Sequence, residues 1–325
     1  MPRYLAQAAY GQLDLLQRAR PLDQVVNDPN VDLRTRMLLS AIPDIKAFGA
    51  AHGLDTRHNY DNYVELDSSA AVWFVGASDP VAFEPLQWCF PIAGCFAGLG
   101  WFDQDDAFAQ RDELAAKGYD SFARPADAYS TGGWFHDPVV SSMLSDGDDA
   151  WQWLANVILH ESTHATVFIP DEPDFNEGFA EFVGDHLADD WLVGRFGESS
   201  DEVANYRDDL AKRAARVSRE LVAYKELEAL YESDAPRAEK LAKKDAIIDA
   251  LADELKLRER PNNATLIELR VYEAAGDGFT KVQAACGGSV AKMIAAAKKL
   301  KRSDFKEELQ PDLRPVLAHL ADLCR

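Results

Sequence analysis

Residues 160–181, HESTHATVFIPDEPDFNEGFAE, constrain the fold more than any other stretch of the chain. His160 and His164 stand four residues apart, a spacing that stacks both imidazoles on one face of an α-helix. Apolar Trp153, Leu154, Val157 and Ile158 recur with helical spacing just before them and would bury that segment in a core. A helix is therefore predicted from Trp151 through His164 to about Phe168, with Asp148 or Asp149 at its N-cap and Pro170 as its stop. After the loop PDEPDF, a second helix should run from near Phe175 to about Phe196. Only 12 residues separate His164 from Glu177, so a short loop must join the two helices and the site they form must be compact.

Two histidines on one helical face can bind one ion, and zinc is the natural occupant. A catalytic zinc site takes three protein ligands and keeps a fourth position for water, which makes Glu177 the candidate third ligand. The pattern H-E-x-x-H arises by accident in roughly one chain in a hundred of this length, so its context matters. Glu177, Glu181 and Asp185 fall at i, i+4, i+8 on one helical stripe, with Phe179, Phe182 and Val183 on the other side for packing. An ordinary amphipathic helix would show that stripe to water. In a metal site one carboxylate binds and the next accepts the outer N–H of a ligating histidine. Glu177 takes the first role and Glu181 the second, the reverse assignment staying open, and Asn176 joins Glu181 as a supporting residue. Glu161 points about 100° away from the two-histidine axis yet stays in reach of an activated water, as a general base must. Zinc lowers the pKa of water toward ~7 and polarises a carbonyl, while a base such as Glu161 moves the proton to the leaving amine. Amide hydrolysis is the expected reaction.

Other hydrolase layouts fail on spacing. The form with a third histidine needs Gly and His where this chain has Val167 and Pro170. No H-x-x-E-H, no G-x-S-x-G elbow and no recognisable cysteine-nucleophile signature occurs. Gly94, Gly98 and Gly100 form no dinucleotide loop and are read as permitting a tight strand turn.

Around this stretch, the 325 residues, 47% hydrophobic, can bury a substantial core as one large domain or two packed ones. A formal net charge of −21 argues against a nucleic-acid partner. No run of some 18 apolar residues qualifies as a membrane span, and the start MPRYLAQAAY has no signal-peptide pattern. The four cysteines are too few for a disulfide scaffold; burial as free thiols is expected, with Cys89 and Cys95 pairing across a hairpin as the alternative. Residues 1–55 read as an N-terminal helical hairpin, 56–198 as the catalytic core with strands between about 60 and 102, and 199–325 as a helical region. Within the last, 200–259 forms a long antiparallel helix pair reversing at 233–236.

The residues also carry a family likeness. HESTH with Asn176-Glu177-Gly178-Phe179-Ala180 resembles the gluzincin metallopeptidases, in which the Glu of the second motif binds zinc. WCFPIAGC at 88–95, GWFDQDDA at 100–107, AYSTGGWFHDPVVSSML at 128–144, DFNEGFAEFVG at 174–184 and PNNATLIELRVY at 261–272 together resemble the bacterial family of predicted aminopeptidases. The resemblance implies a zinc-dependent peptidase acting on peptide substrates, often exported or lipid-anchored, although no N-terminal lipoprotein signal is seen here. The sequence departs from the family at Gly98-Leu99-Gly100, where Tyr-Arg-Gly is expected, and it lacks the G-x-M-E-N strand with which thermolysin-like aminopeptidases hold a free amine. A hydrolase of this kind adds an oxyanion donor across from the metal; Tyr272 is the first candidate and Tyr129 the second, although a buried core tyrosine with a satisfied hydroxyl is the leading reading for both. The AYST segment could instead be an edge strand that pairs with an extended peptide.

The expected fold is thus α+β and mainly helical, with a zincin-like core, a small mixed sheet, an HExxH helix and a long C-terminal helical hairpin. The expected function is a zinc peptidase. The competing reading is a non-catalytic protein braced by zinc whose helix pair binds a partner.

Overall fold

A computed structural model of the chain describes residues 2–57, 59–90, 94–126, 136–270, 275, 277–310 and 312–325. The fold is α+β and mainly helical, with small sheets. It divides into two compact units, each assembled from three stretches: Met1–Asp14, Ser68–Ala126 and Ala211–Arg270 in the first, Leu15–Asp67, Asp127–Leu210 and Val271–Arg325 in the second.

The first unit is built on an antiparallel sheet in which β3 (Trp73–Ser78) lies between β6 (Gly98–Trp101) and β7 (Asp120–Pro125). Alternate residues of a strand share a face, so Trp73, Val75 and Ala77 join Leu99, Trp101, Ala107 and Leu114 in one core. The last two belong to helix α4 (Gln104–Ala116), whose first turn is capped by Asp103 accepting the Asp106 N–H at 2.9 Å. Gly98 and Gly100 sit inside a paired strand, not at a turn. A Cβ on Gly98 would stand 2.0 Å from the Phe74 ring, so bulk at this position is excluded by an aromatic side chain of the neighbouring strand.

Short strands β4 (Trp88–Phe90) and β5 (Gly94–Phe96) pair antiparallel with Cys89 opposite Cys95, and the two cysteines form a disulfide. Helices α7 (Asp201–Glu232) and α8 (Arg237–Leu255) reverse at 233–236 as the sequence predicts. Within the first unit, Arg219 and Glu254 pair across them at 2.6 Å. The pair is pinned to the sheet side of that unit: Tyr224 stacks on Phe83 at 4.0 Å between ring centroids, and the buried Lys244 ammonium meets the Asp120 carboxylate. Asn263, fully buried at the start of α9 (Asn263–Leu266), donates to the Asp79 carbonyl at 3.0 Å and accepts from the Tyr231 hydroxyl at 2.8 Å. The PNNATLIELRVY motif thus ties a loop, a strand and a long helix together.

The second unit contains a small mixed sheet: β1 (Arg20–Pro21) runs antiparallel to β2 (Asn62–Val64), which runs parallel to β8 (Val139–Val140). Its core is helical. Helix α3 (Leu33–Ala51), capped by Asp32, lays Gly49 against Leu159 of α5 (Ala150–Thr166), and α5 packs along α6 (Pro173–Phe196). Asp149 holds the N-cap position of α5, but its carboxylate accepts the Ser145 hydroxyl at 2.7 Å instead of capping the helix. Phe175 and Phe179 of α6 stack on each other and meet Phe279, with Phe305 closing on Phe175. A second disulfide, Cys286–Cys324, joins the end of helix Gly278–Ala285 to the end of helix Arg314–Leu323. All four cysteines are therefore paired, in place of the free thiols expected. Among the described residues no helix is long and apolar enough to cross a membrane.

Candidate metal centre

The two helices predicted to carry the site form with nearly the expected bounds, and the loop between them is fixed by its own polar groups. Asn176 accepts the Ile169 N–H through Oδ1 at 2.9 Å and donates from Nδ2 to the Ile169 carbonyl at 2.8 Å. One side chain thereby satisfies both backbone groups of a buried residue one loop upstream. Glu172, only 1% exposed, accepts the Gln310 N–H at 3.1 Å and faces Arg302 at 3.4 Å, while burial pushes its carboxyl pKa up. Pro173 then opens α6 at a position where a missing N–H costs nothing.

With the loop held, Glu177 comes to the histidines. The Nε2 atoms of His160 and His164 stand 3.1 Å apart, and the Glu177 carboxylate offers Oε2 to His160 at 3.7 Å and Oε1 to His164 at 3.5 Å. A tetrahedral ion with bonds of ~2.1 Å sets its ligand atoms roughly 3.4 Å apart. The three side chains match that triangle, and they are the group among the described residues whose His, Cys, Asp or Glu ligand atoms converge closely enough to hold a metal. Two imidazoles and one carboxylate also form a donor set suited to a borderline cation.

The electrostatics follow from the same contacts. Burial acts to lower the His164 pKa, but the Glu177 carboxylate, with a smaller contribution from Glu161, outweighs it and the net shift is upward. Burial would raise Glu177, yet the two imidazoles outweigh it and hold its carboxyl well below the usual carboxylate range. The Glu177 side chain is nonetheless 56% exposed, so the triangle is open to solvent on its carboxylate side.

The helix pair is also aligned by contacts next to the triangle. One turn before His160, Asn156 donates to Asp185 Oδ1 at 2.8 Å and to the Tyr206 hydroxyl at 2.9 Å, clamping α5 to α6. Opposite His160, α6 presents Gly184. Glu181, one turn after Glu177, is half-buried on the same helix. Glu161, half-buried on α5, lies within the electrostatic reach of Tyr60.

Tyr60 is the residue that sequence reasoning missed. It is 1% exposed, takes a left-handed backbone conformation with φ 64°, donates its N–H to the Asp137 carbonyl at 2.7 Å, and has a hydroxyl with no hydrogen-bond partner among the described residues. Burial pushes its phenol pKa far up, with the charges of Glu161 and Asp137 adding to the rise. A bulky residue at positive φ is a strained exception. No sequence pattern announces it, whereas Asn156 could have been found as the residue one helical turn before His160. Tyr129 and Tyr272 lie outside the described residues.

A family profile described as "Putative aminopeptidase" matches residues 3–311. The chain belongs to that family. The match runs through both compact units and includes His160, His164 and Glu177. The family's description points to a peptidase, a hydrolase of peptide bonds. No curated protein and no solved structure matches the chain.

Proposed function

We propose that this member of the aminopeptidase family is a zinc-dependent metallopeptidase of gluzincin type with a zincin-like core, and that it removes residues from free peptide N-termini. The observation that carries this reading is the triangle of His160, His164 and Glu177, with its carboxylate side open to solvent. A site that only braced the fold would have no need of that opening.

His160 and His164 would hold the ion through their Nε2 atoms and Glu177 through its carboxylate. A zinc ion there supplies Lewis acidity, which lowers the pKa of water and polarises a carbonyl. Glu161, one residue past His160 and off the ligand axis, accepts the proton of the attacking water and passes it to the leaving amine. Glu181 fixes the orientation of a ligating imidazole, and Asn176 holds Glu177 in place by locking the loop before it. We also infer export to an oxidising compartment; the pairing of all four cysteines supports it.

The test is an assay of short peptides with free and with acetylated N-termini, before and after chelation and zinc restoration. Cleavage confined to free N-termini, lost on chelation and restored by zinc, is the expected result. Metal-independent cleavage would overturn the mechanism. Cleavage of acetylated peptides would overturn the exopeptidase assignment alone.

A further inference from the structure

We propose a second binding site, separate from the metal centre, in the groove beside the first turns of α5: it takes a primary ammonium group carried on an aliphatic stem. The groove lies wholly within the second unit and encloses about 730 Å3, a size typical of small-ligand sites. None of the metal triad lines it. Gln152, which does, stands two turns before His160 on α5, roughly 12 Å along the helix axis.

Gln152 is the observation that demands a ligand. Its side chain is 3% exposed, its Nε2 donates to the Glu202 carbonyl at 3.3 Å, and its Oε1 has no hydrogen-bond partner among the described residues. A buried amide acceptor without a donor is costly to the folded state, and a ligand N–H relieves it.

The surrounding charges choose the kind of donor. Asp32, Asp148, Asp201 and Glu202 line the groove, and none of them makes an ion pair among the described residues. The single lining cation, Arg34, turns its guanidinium onto the backbone carbonyls of Ser145 and Gly147. Local duties explain part of the pattern. Asp32 caps α3, and Asp201 and Glu202 begin α7, where the helix dipole favours anions. Those duties leave the four carboxylates facing one groove without a neutralising partner, and they exclude an anionic ligand.

Apolar surface supplies the rest. Leu33 and Met37 are 61% and 51% exposed, and Trp151 borders them. They give a methylene chain something to lie against. A primary ammonium brings three N–H donors and a compact charge, which suits one buried acceptor ringed by carboxylates. A lysine side chain within a peptide and a free aliphatic polyamine share this chemistry.

Calorimetric titration of the intact protein at low salt separates these cases, with acetyl-Leu-Lys-Leu-amide, its ε-acetylated form and spermidine as probes. At least one of the two cationic probes should bind, and which of them does so identifies the source. If the lysyl peptide binds, ε-acetylation should weaken it at least tenfold. The double variant Asp148→Asn/Asp201→Asn, altered only at exposed rim positions, should weaken the bound probe at least tenfold, whereas Glu177→Gln should leave it unchanged. The site is disproved by failure of both cations to bind, by equal affinity for the acetylated peptide, or by unchanged binding in the rim variant. Loss of binding in Glu177→Gln would reassign the probe to the metal centre. The result is independent of whether the metal centre is catalytic.

Discussion

Gly184 of α6 lies flat against His160 of α5: a Cβ at position 184 would stand 3.1 Å from the His160 Cβ and 3.3 Å from its Cα. The absence of a side chain lets the two helices approach closely enough for Glu177, two turns earlier on α6, to reach both imidazoles. Gly184→Leu should therefore separate the helices. Overpacking of this kind costs typically 1–3 kcal/mol, and zinc affinity should fall at least tenfold because the triangle opens. Denaturant unfolding and a zinc titration check the two effects together; wild-type zinc affinity in this variant would show that the close approach does not set the site.

Tyr60 offers a separable test of what its buried hydroxyl does. The group has no partner among the described residues, so Tyr60→Phe should remove a desolvated polar atom without breaking a bond. Unfolding free energy should stay unchanged or rise by about 1 kcal/mol, measured on the metal-free protein. A drop of more than that would mean the hydroxyl is bonded in solution.

How much of this was legible in the sequence depends on how local each feature is. The α5 and α6 bounds, the reversal at 233–236 and the meeting of His160, His164 and Glu177 follow from helical periodicity, proline stops and i, i+4 spacing, and the structure brings these three side chains together as a group that could hold a metal. The turn expected at Gly98 and Gly100 is a paired strand instead, because their reason lies in side chains distant in sequence, the Phe74 ring over Gly98 and Val72 over Gly100. The Cys286–Cys324 pair was missed because contact between residues 38 apart is decided by how terminal helices dock. Tyr60 was missed because a strained backbone and a buried hydroxyl arise only when segments around positions 60, 137 and 161 come together.

The titration of the centre has a definite sign in the metal-free protein. His164 has a raised pKa when folded. Its contribution to stability is fully present below the unfolded value of about 6.5 and is lost as pH rises through the higher folded value. Glu177 is held low, so its contribution is present above the unfolded value of about 4.3 and is lost as pH falls through the folded one. Metal-free protein should thus gain stability as pH is lowered from 8 toward 6, while zinc affinity falls over the same range because protons compete for His164. Thermal unfolding with and without zinc at each pH reads both trends; parallel trends in the two forms would contradict the linkage.

Peptide hydrolysis by Glu161→Gln, measured at full zinc occupancy, bears most directly on the catalytic role of this centre. The substitution removes the proposed proton acceptor and leaves His160, His164 and Glu177 untouched. A zinc peptidase that uses Glu161 as its base should bind one zinc as the wild type does and lose on the order of 10²–10⁴ in turnover. Wild-type turnover by the zinc-loaded variant would contradict it.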